Sequence, residues 1–110
     1  MKKIRLLLVG FGPRGKIWAK AIKKNTKTEL VGICDINKDL KHQNPKNIIF
    51  FHKLDSALSY LKPDAVILST PPFNRMQDLK VITKFKLPIL VEKPLTINLD
   101  EAKRQIAFMN

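Results

Sequence analysis

Gly10-Phe11-Gly12-Pro13-Arg14-Gly15 spaces its glycines as G-x-G-x-x-G, directly after the apolar run Ile4 to Val9 and directly before a helical pattern from about Pro13 to Lys24. A strand that turns on a glycine and re-emerges as a helix is the opening unit of a strand-helix-strand crossover. Proline at the first helical position fits this reading, because a first-turn N–H has no helical acceptor to lose.

Outward from this turn, short apolar runs alternate with amphipathic stretches. Leu30 to Cys34, Ile48 to Phe51, Ala65 to Leu68 and Ile89 to Val91 read as further strands. Leu54, Ala57, Leu58 and Leu61 mark one helix between them, and Met76, Leu79, Ile82 and Phe85 another. A last helix is expected with Leu99, Ala102, Ile106 and Met109 on one face, opened by the capping pair Asn98 and Glu101. Runs that are apolar throughout, without alternation, belong to strands buried on both faces, as in parallel sheets. The expected fold is therefore α/β, a doubly wound parallel sheet of order 3-2-1-4-5, with residues 1–110 as one domain. The sixth strand of the standard winding is absent from the pattern.

Asp35 ends the second strand, 20 positions after Gly15. Strand, glycine turn, helix and a following acid form the context of a dinucleotide site. Gly10 is expected to make the tight turn, Gly12 to let a pyrophosphate approach the backbone, and Gly15 to allow close helix packing. The phosphates would rest on the helix N-terminus, with Phe11 and Pro13 in the turn and Arg14 adding a cation. Asp35 would accept hydrogen bonds from the adenosine ribose and repel a 2′-phosphate, which favours NAD over NADP.

Two other stretches end strands on the same edge. Ser69-Thr70-Pro71-Pro72 reads equally well as a proline-stiffened strand end or as a flank for the nicotinamide half of the cofactor. In Glu92-Lys93-Pro94, chemistry alone favours an exposed lysine over a proton donor or substrate clamp. His42 and His52 have no ligand spacing, so no metal site is expected. The lone Cys34 reads as an inert core thiol, and the turn lacks the lysine and hydroxyl of a Walker loop.

Composition narrows the classes further. Hydrophobic residues at 45% indicate an ordinary folded chain. One cysteine excludes an internal disulfide, and Leu6 to Val9 is too short for a signal core or a membrane span, so a cytoplasmic protein without membrane association is expected. The net charge of +12 raises nucleic-acid binding. Few aromatics interleave with the lysines, and Lys16, Lys20, Lys23 and Lys24 read as a solvent face opposite Ile17, Trp18 and Ala21, so that partner is disfavoured.

Together, the glycine turn, Asp35, Thr70-Pro71-Pro72 and Glu92-Lys93-Pro94-Leu95 resemble the Gfo/Idh/MocA family of oxidoreductases. The resemblance implies an NAD(P)-binding domain of an enzyme that moves a hydride between nicotinamide and a hydroxyl carbon of a sugar, cyclitol or nucleotide sugar. It makes Lys93 the catalytic residue, and Glu92, Lys93, Ser69, Thr70 and Pro71 cofactor contacts beside the glycine turn and Asp35. It also implies a C-terminal α/β domain that carries the rest of the substrate pocket, present elsewhere or supplied in trans. A non-catalytic dinucleotide-binding or regulatory module is the alternative. Relatives commonly carry a histidine five residues after the Thr-Pro threonine; here that position is Arg75.

Overall fold

The computed structural model describes residues 2–71, 75–92, 100, 103–104 and 106–107. Its central strand, β1 (Ile4–Val9), has fully buried leucines pointing to both sides of the sheet. Leu7 and Val9 face one layer of the core, and Leu6 and Leu8 face the other. This two-sided burial is why the run is apolar throughout from Leu6 to Val9.

β1 leads through the glycine turn into α1 (Pro13–Lys24) and then β2 (Thr28–Cys34). A short 3-10 turn, Lys38–Gln43, precedes β3 (Ile49–Phe51). α2 (Leu54–Leu61), β4 (Ala65–Leu68), α3 (Arg75–Thr83) and β5 (Ile89–Val91) follow. The five strands are all parallel, in the order β3-β2-β1-β4-β5. The doubly wound sheet expected from the sequence is thus the observed one.

The core has two layers. Ala19 and Ile22 of α1 pack with Phe11, Leu30, Ile33 and Ile67 on one face. Ala57, Leu58 and Leu61 of α2 pack with Leu79 and Ile82 of α3 and with Cys34, Val66 and Leu68 on the other. Each fully buried aliphatic side chain contributes about 1.5–3 kcal/mol relative to exposure. Between Leu6 and Leu7 the register with β2 shifts by one residue, so that Leu6 pairs with Leu30 but Leu7 with Gly32.

Several details differ from the sequence reading. α1 buries Gly15, Ala19 and Ile22, whereas Ile17 is 57% exposed and Ala21 is exposed. Gly15 causes this: it must lie against the Gly10 carbonyl, which fixes the rotation of the helix and turns positions 17 and 21 outward. Lys20, Lys23 and Lys24 are exposed as expected, but Lys16 is half-buried, its Nζ 5.3 Å from the centre of the Phe11 ring. α3 stops at Thr83, before Phe85, where Phe85 and Lys86 donate backbone bonds to Ile82 and Thr83 and Lys86 takes φ 56°.

β2 begins at Thr28, two residues earlier than its apolar run, and β3 begins one residue later than predicted. The expected last helix lies largely outside the described residues; Asp100, Lys103, Arg104, Ile106 and Ala107 are helical. Among the described residues, no helix is long and apolar enough to cross a membrane.

Candidate functional site

The carboxyl ends of β1, β2, β4 and β5 meet over the start of α1, at the edge where open α/β sheets hold ligands. A cleft of about 680 Å³ opens there. Each glycine of the turn has a different reason to be glycine. Gly10 has φ +101°, and a Cβ on it would sit 2.8 Å from the Thr70 amide nitrogen. Its N–H donates to the Cys34 carbonyl at 2.7 Å, and its carbonyl accepts from the Ser69 hydroxyl at 3.0 Å. A Cβ on Gly15 would run into the Gly10 carbonyl.

Gly12 differs from both. A Cβ on it would meet no atom of the described residues within 4 Å, and its φ of −74° suits any residue. Nothing among the described residues demands glycine there, which leaves open space at the cleft. Gly12 also N-caps α1 without a side-chain hydrogen bond. The first-turn N–H groups therefore have neither helical acceptor nor side-chain cap, in a positive macrodipole end suited to an anion.

Asp35 stands across the turn. One carboxylate oxygen accepts from the Phe11 N–H at 2.8 Å and the other from the Asn37 N–H at 2.9 Å. Each oxygen keeps a further lone pair, so the carboxylate retains acceptor capacity toward ribose hydroxyls. Phe11 enters the site only through this N–H; its ring is buried in the core.

Of the residues expected from sequence, Gly10, Gly12, Pro13, Arg14 and Asp35 line the cleft. So do Ser69, Thr70, Pro71 and Glu92. Phe11 and Gly15 support the turn from behind, and Lys93, Pro72, Pro94 and Leu95 lie outside the described residues. Arg14 is aimed at protein as well as at the cleft: its Nε bonds Glu92 Oε2 at 3.2 Å. Trp18 Nε1 donates to the same oxygen at 2.6 Å. Glu92 thereby ties α1 to the end of β5, while its own N–H donates to the Leu68 carbonyl.

Sequence reasoning missed Ile36, Asn37 and Leu40, which follow Asp35 along the cleft wall. It noted Arg75 only as a departure from relatives, and a charged residue at a core position gives no signal of where its charge goes. Arg75 is 1% exposed, and its terminal nitrogens donate to the Glu92 carbonyl at 2.6 Å and the Thr70 carbonyl at 2.5 Å. Burial pushes its pKa down, an effect that Glu92 and Asp78 oppose. Burial likewise raises the Asp78 carboxyl above its ordinary value, against the pull of Arg75. The Thr70 hydroxyl is buried with no hydrogen-bond partner among the described residues. An unsatisfied hydroxyl beside an uncapped helix and an open glycine suits a polar, anionic ligand.

The comparisons agree with this geometry. The model of the oxidoreductase family with an NAD-binding Rossmann fold, Gfo/Idh/MocA, matches residues 4–110. The rhizopine catabolism protein MocA of Rhizobium meliloti is 26% identical over 105 residues, covering 94% of this chain and 33% of its own length. The WlbA dehydrogenase of Bordetella pertussis, solved with NADH and UDP-GlcNAcA, superposes with a TM-score of 0.85 at 28% identity, over 98% of this chain and 35% of its own. Scyllo-inositol dehydrogenase of Lactobacillus casei, solved with NAD(H) and scyllo-inositol, gives a TM-score of 0.84 at 20% identity over 98% of this chain and 33% of its own, and so shares the fold. The chain spans about a third of the length of these relatives. With the family model covering nearly every residue, the chain belongs to the Gfo/Idh/MocA oxidoreductases and comprises their NAD-binding Rossmann domain.

Proposed function

We propose that this domain holds NAD in preference to NADP, for an enzyme acting on a hydroxyl carbon of a sugar, cyclitol or nucleotide sugar. The observation that carries the cofactor reading is the uncapped start of α1 under an open Gly12, with Asp35 fixed opposite. The first-turn N–H groups would take the pyrophosphate, with the exposed side of Arg14 beside them. Asp35 would accept from the ribose hydroxyls, and its charge would repel a 2′-phosphate. Ser69, Thr70, Pro71 and Glu92 would flank the nicotinamide half, which supplies hydride exchange when bound.

Lys93 follows the fixed Glu92 in sequence, and family resemblance supports it as the group that moves the proton at the substrate oxygen. The sugar-like substrate class rests on relatives: WlbA was solved with a nucleotide sugar acid and the Lactobacillus enzyme with a cyclitol. The substrate pocket would be completed by the remaining length that the relatives possess.

Calorimetric titration of the 110-residue chain with NADH and with NADPH tests the cofactor reading. Saturable NADH binding, tighter than NADPH by about tenfold or more, is expected. Binding of neither refutes the site, and tighter NADPH binding refutes the role given to Asp35.

A further inference from the structure

Arg75 is a large, fully buried side chain and a charged one, at the first position of α3. A buried guanidinium is costly, and an apolar side chain beside Leu79 and Ile82 would pack there without that desolvation. What the arginine does that an aliphatic residue cannot is to span two strand ends. Its planar fork reaches the Thr70 carbonyl past the end of β4 and the Glu92 carbonyl past the end of β5. Those two residues line the wall of the cleft beside the glycine turn.

The rest of the wall hangs on the same two points. Glu92 carries Arg14 and Trp18 on its carboxylate, and Thr70 presents a buried hydroxyl that no protein group among the described residues satisfies. We infer that Arg75 is a positioning residue: by holding the Thr70 and Glu92 carbonyls together, it fixes the wall on which the nicotinamide half of the cofactor lies. The inference rests on the cofactor reading above for its ligand, and on geometry alone for the clamp.

The test separates the two halves of the cofactor. ADP-ribose carries the pyrophosphate and adenosine but no nicotinamide, so it uses the glycine turn and Asp35 without the clamped wall. Arg75→Met keeps an unbranched apolar stem and removes every donor; Arg75→Lys keeps the charge and a single point of donation. In Arg75→Met, NADH binding should weaken about tenfold while ADP-ribose binding stays within about twofold of the parent, with Arg75→Lys intermediate for NADH. The Glu92 amide, bonded to Leu68, should exchange its hydrogen faster in Arg75→Met, while the amides of β1 are unchanged.

Equal weakening of both ligands would mean a general structural role and overturns the inference. So does unchanged NADH binding. If the parent chain binds neither ligand, the cofactor reading fails by itself, and Glu92 exchange then decides the clamp: unchanged exchange in Arg75→Met refutes it. If Arg75→Met melts without cooperativity, the same comparisons are made on Arg75→Lys, and parent-like values there overturn the inference.

Discussion

At Gly10 the backbone turns through φ +101° while the amide of Thr70 lies where a side chain would begin. At Gly12 the backbone is ordinary and the neighbouring space is open. The same amino acid therefore serves folding at one position and ligand access at the other, and two substitutions separate these roles. Gly10→Ala should cost about 2–4 kcal/mol, because left-handed strain adds to a backbone clash, and the loss would be read as a lower urea midpoint. Gly12→Ala should leave that midpoint within about 0.5 kcal/mol of the parent while weakening NADH binding in calorimetry. Loss of stability in both would mean that the glycine pair is purely architectural. Asp35 was legible from spacing, but its bonds to Phe11 and Asn37 were not, because partners that are backbone amides carry no residue signature.

Among the elements, strands were easier to read than helix faces. Mostly apolar runs located β1, β4 and β5 to the residue; β4 and the second half of β1 are buried on both faces, where a polar side chain would have no place. In α1, apolar residues occur all around the helix, so periodicity alone could not choose between Ile17 and Ile22; the contact of Gly15 with Gly10 makes that choice. α3 hid its main feature for a related reason: an arginine at a core position reads as an interruption of the pattern. Asp78, one turn along from Arg75, gives α3 a testable pH response. Its carboxyl is held above the ordinary 3.8 by burial, so the fold favours the protonated form. The stabilisation this gives is present at acid pH and is lost as pH rises through the folded-state value. Relative to Asp78→Asn, the parent chain should therefore lose stability as the pH is raised through and above the ordinary 3.8, followed by urea midpoints over a range of pH values. A constant difference across that range would show that Asp78 ionises as freely in the fold as in the unfolded chain.

At the scale of the whole molecule, two regions differ chemically: the buried core on the two faces of the sheet and the open carboxyl edge. Cys34 reports on the first. It is 2% exposed, and burial, reinforced by Asp78, Asp35 and Asp55, pushes its thiol up to about 12 from 9.0. Its contribution to stability is thus complete below about pH 9 and is lost as pH rises toward the folded-state value. Iodoacetamide at about pH 8 should label Cys34 at a rate that follows global unfolding, so added urea accelerates labelling in step with the population of unfolded chain. Rapid labelling of the native chain would show that the core opens locally at β2. The carboxyl edge behaves differently, because one carboxylate joins its parts. Arg14 and Trp18 on Glu92, with Arg75 on the Glu92 carbonyl, connect the turn proposed for the phosphates to the wall proposed for the nicotinamide. For a dinucleotide held in this way, the two halves are tethered guests on a host of preset spacing. Once one half has docked, the other arrives at a high effective concentration, and the spacing maintained through Glu92 determines how much the whole dinucleotide gains over its separate parts.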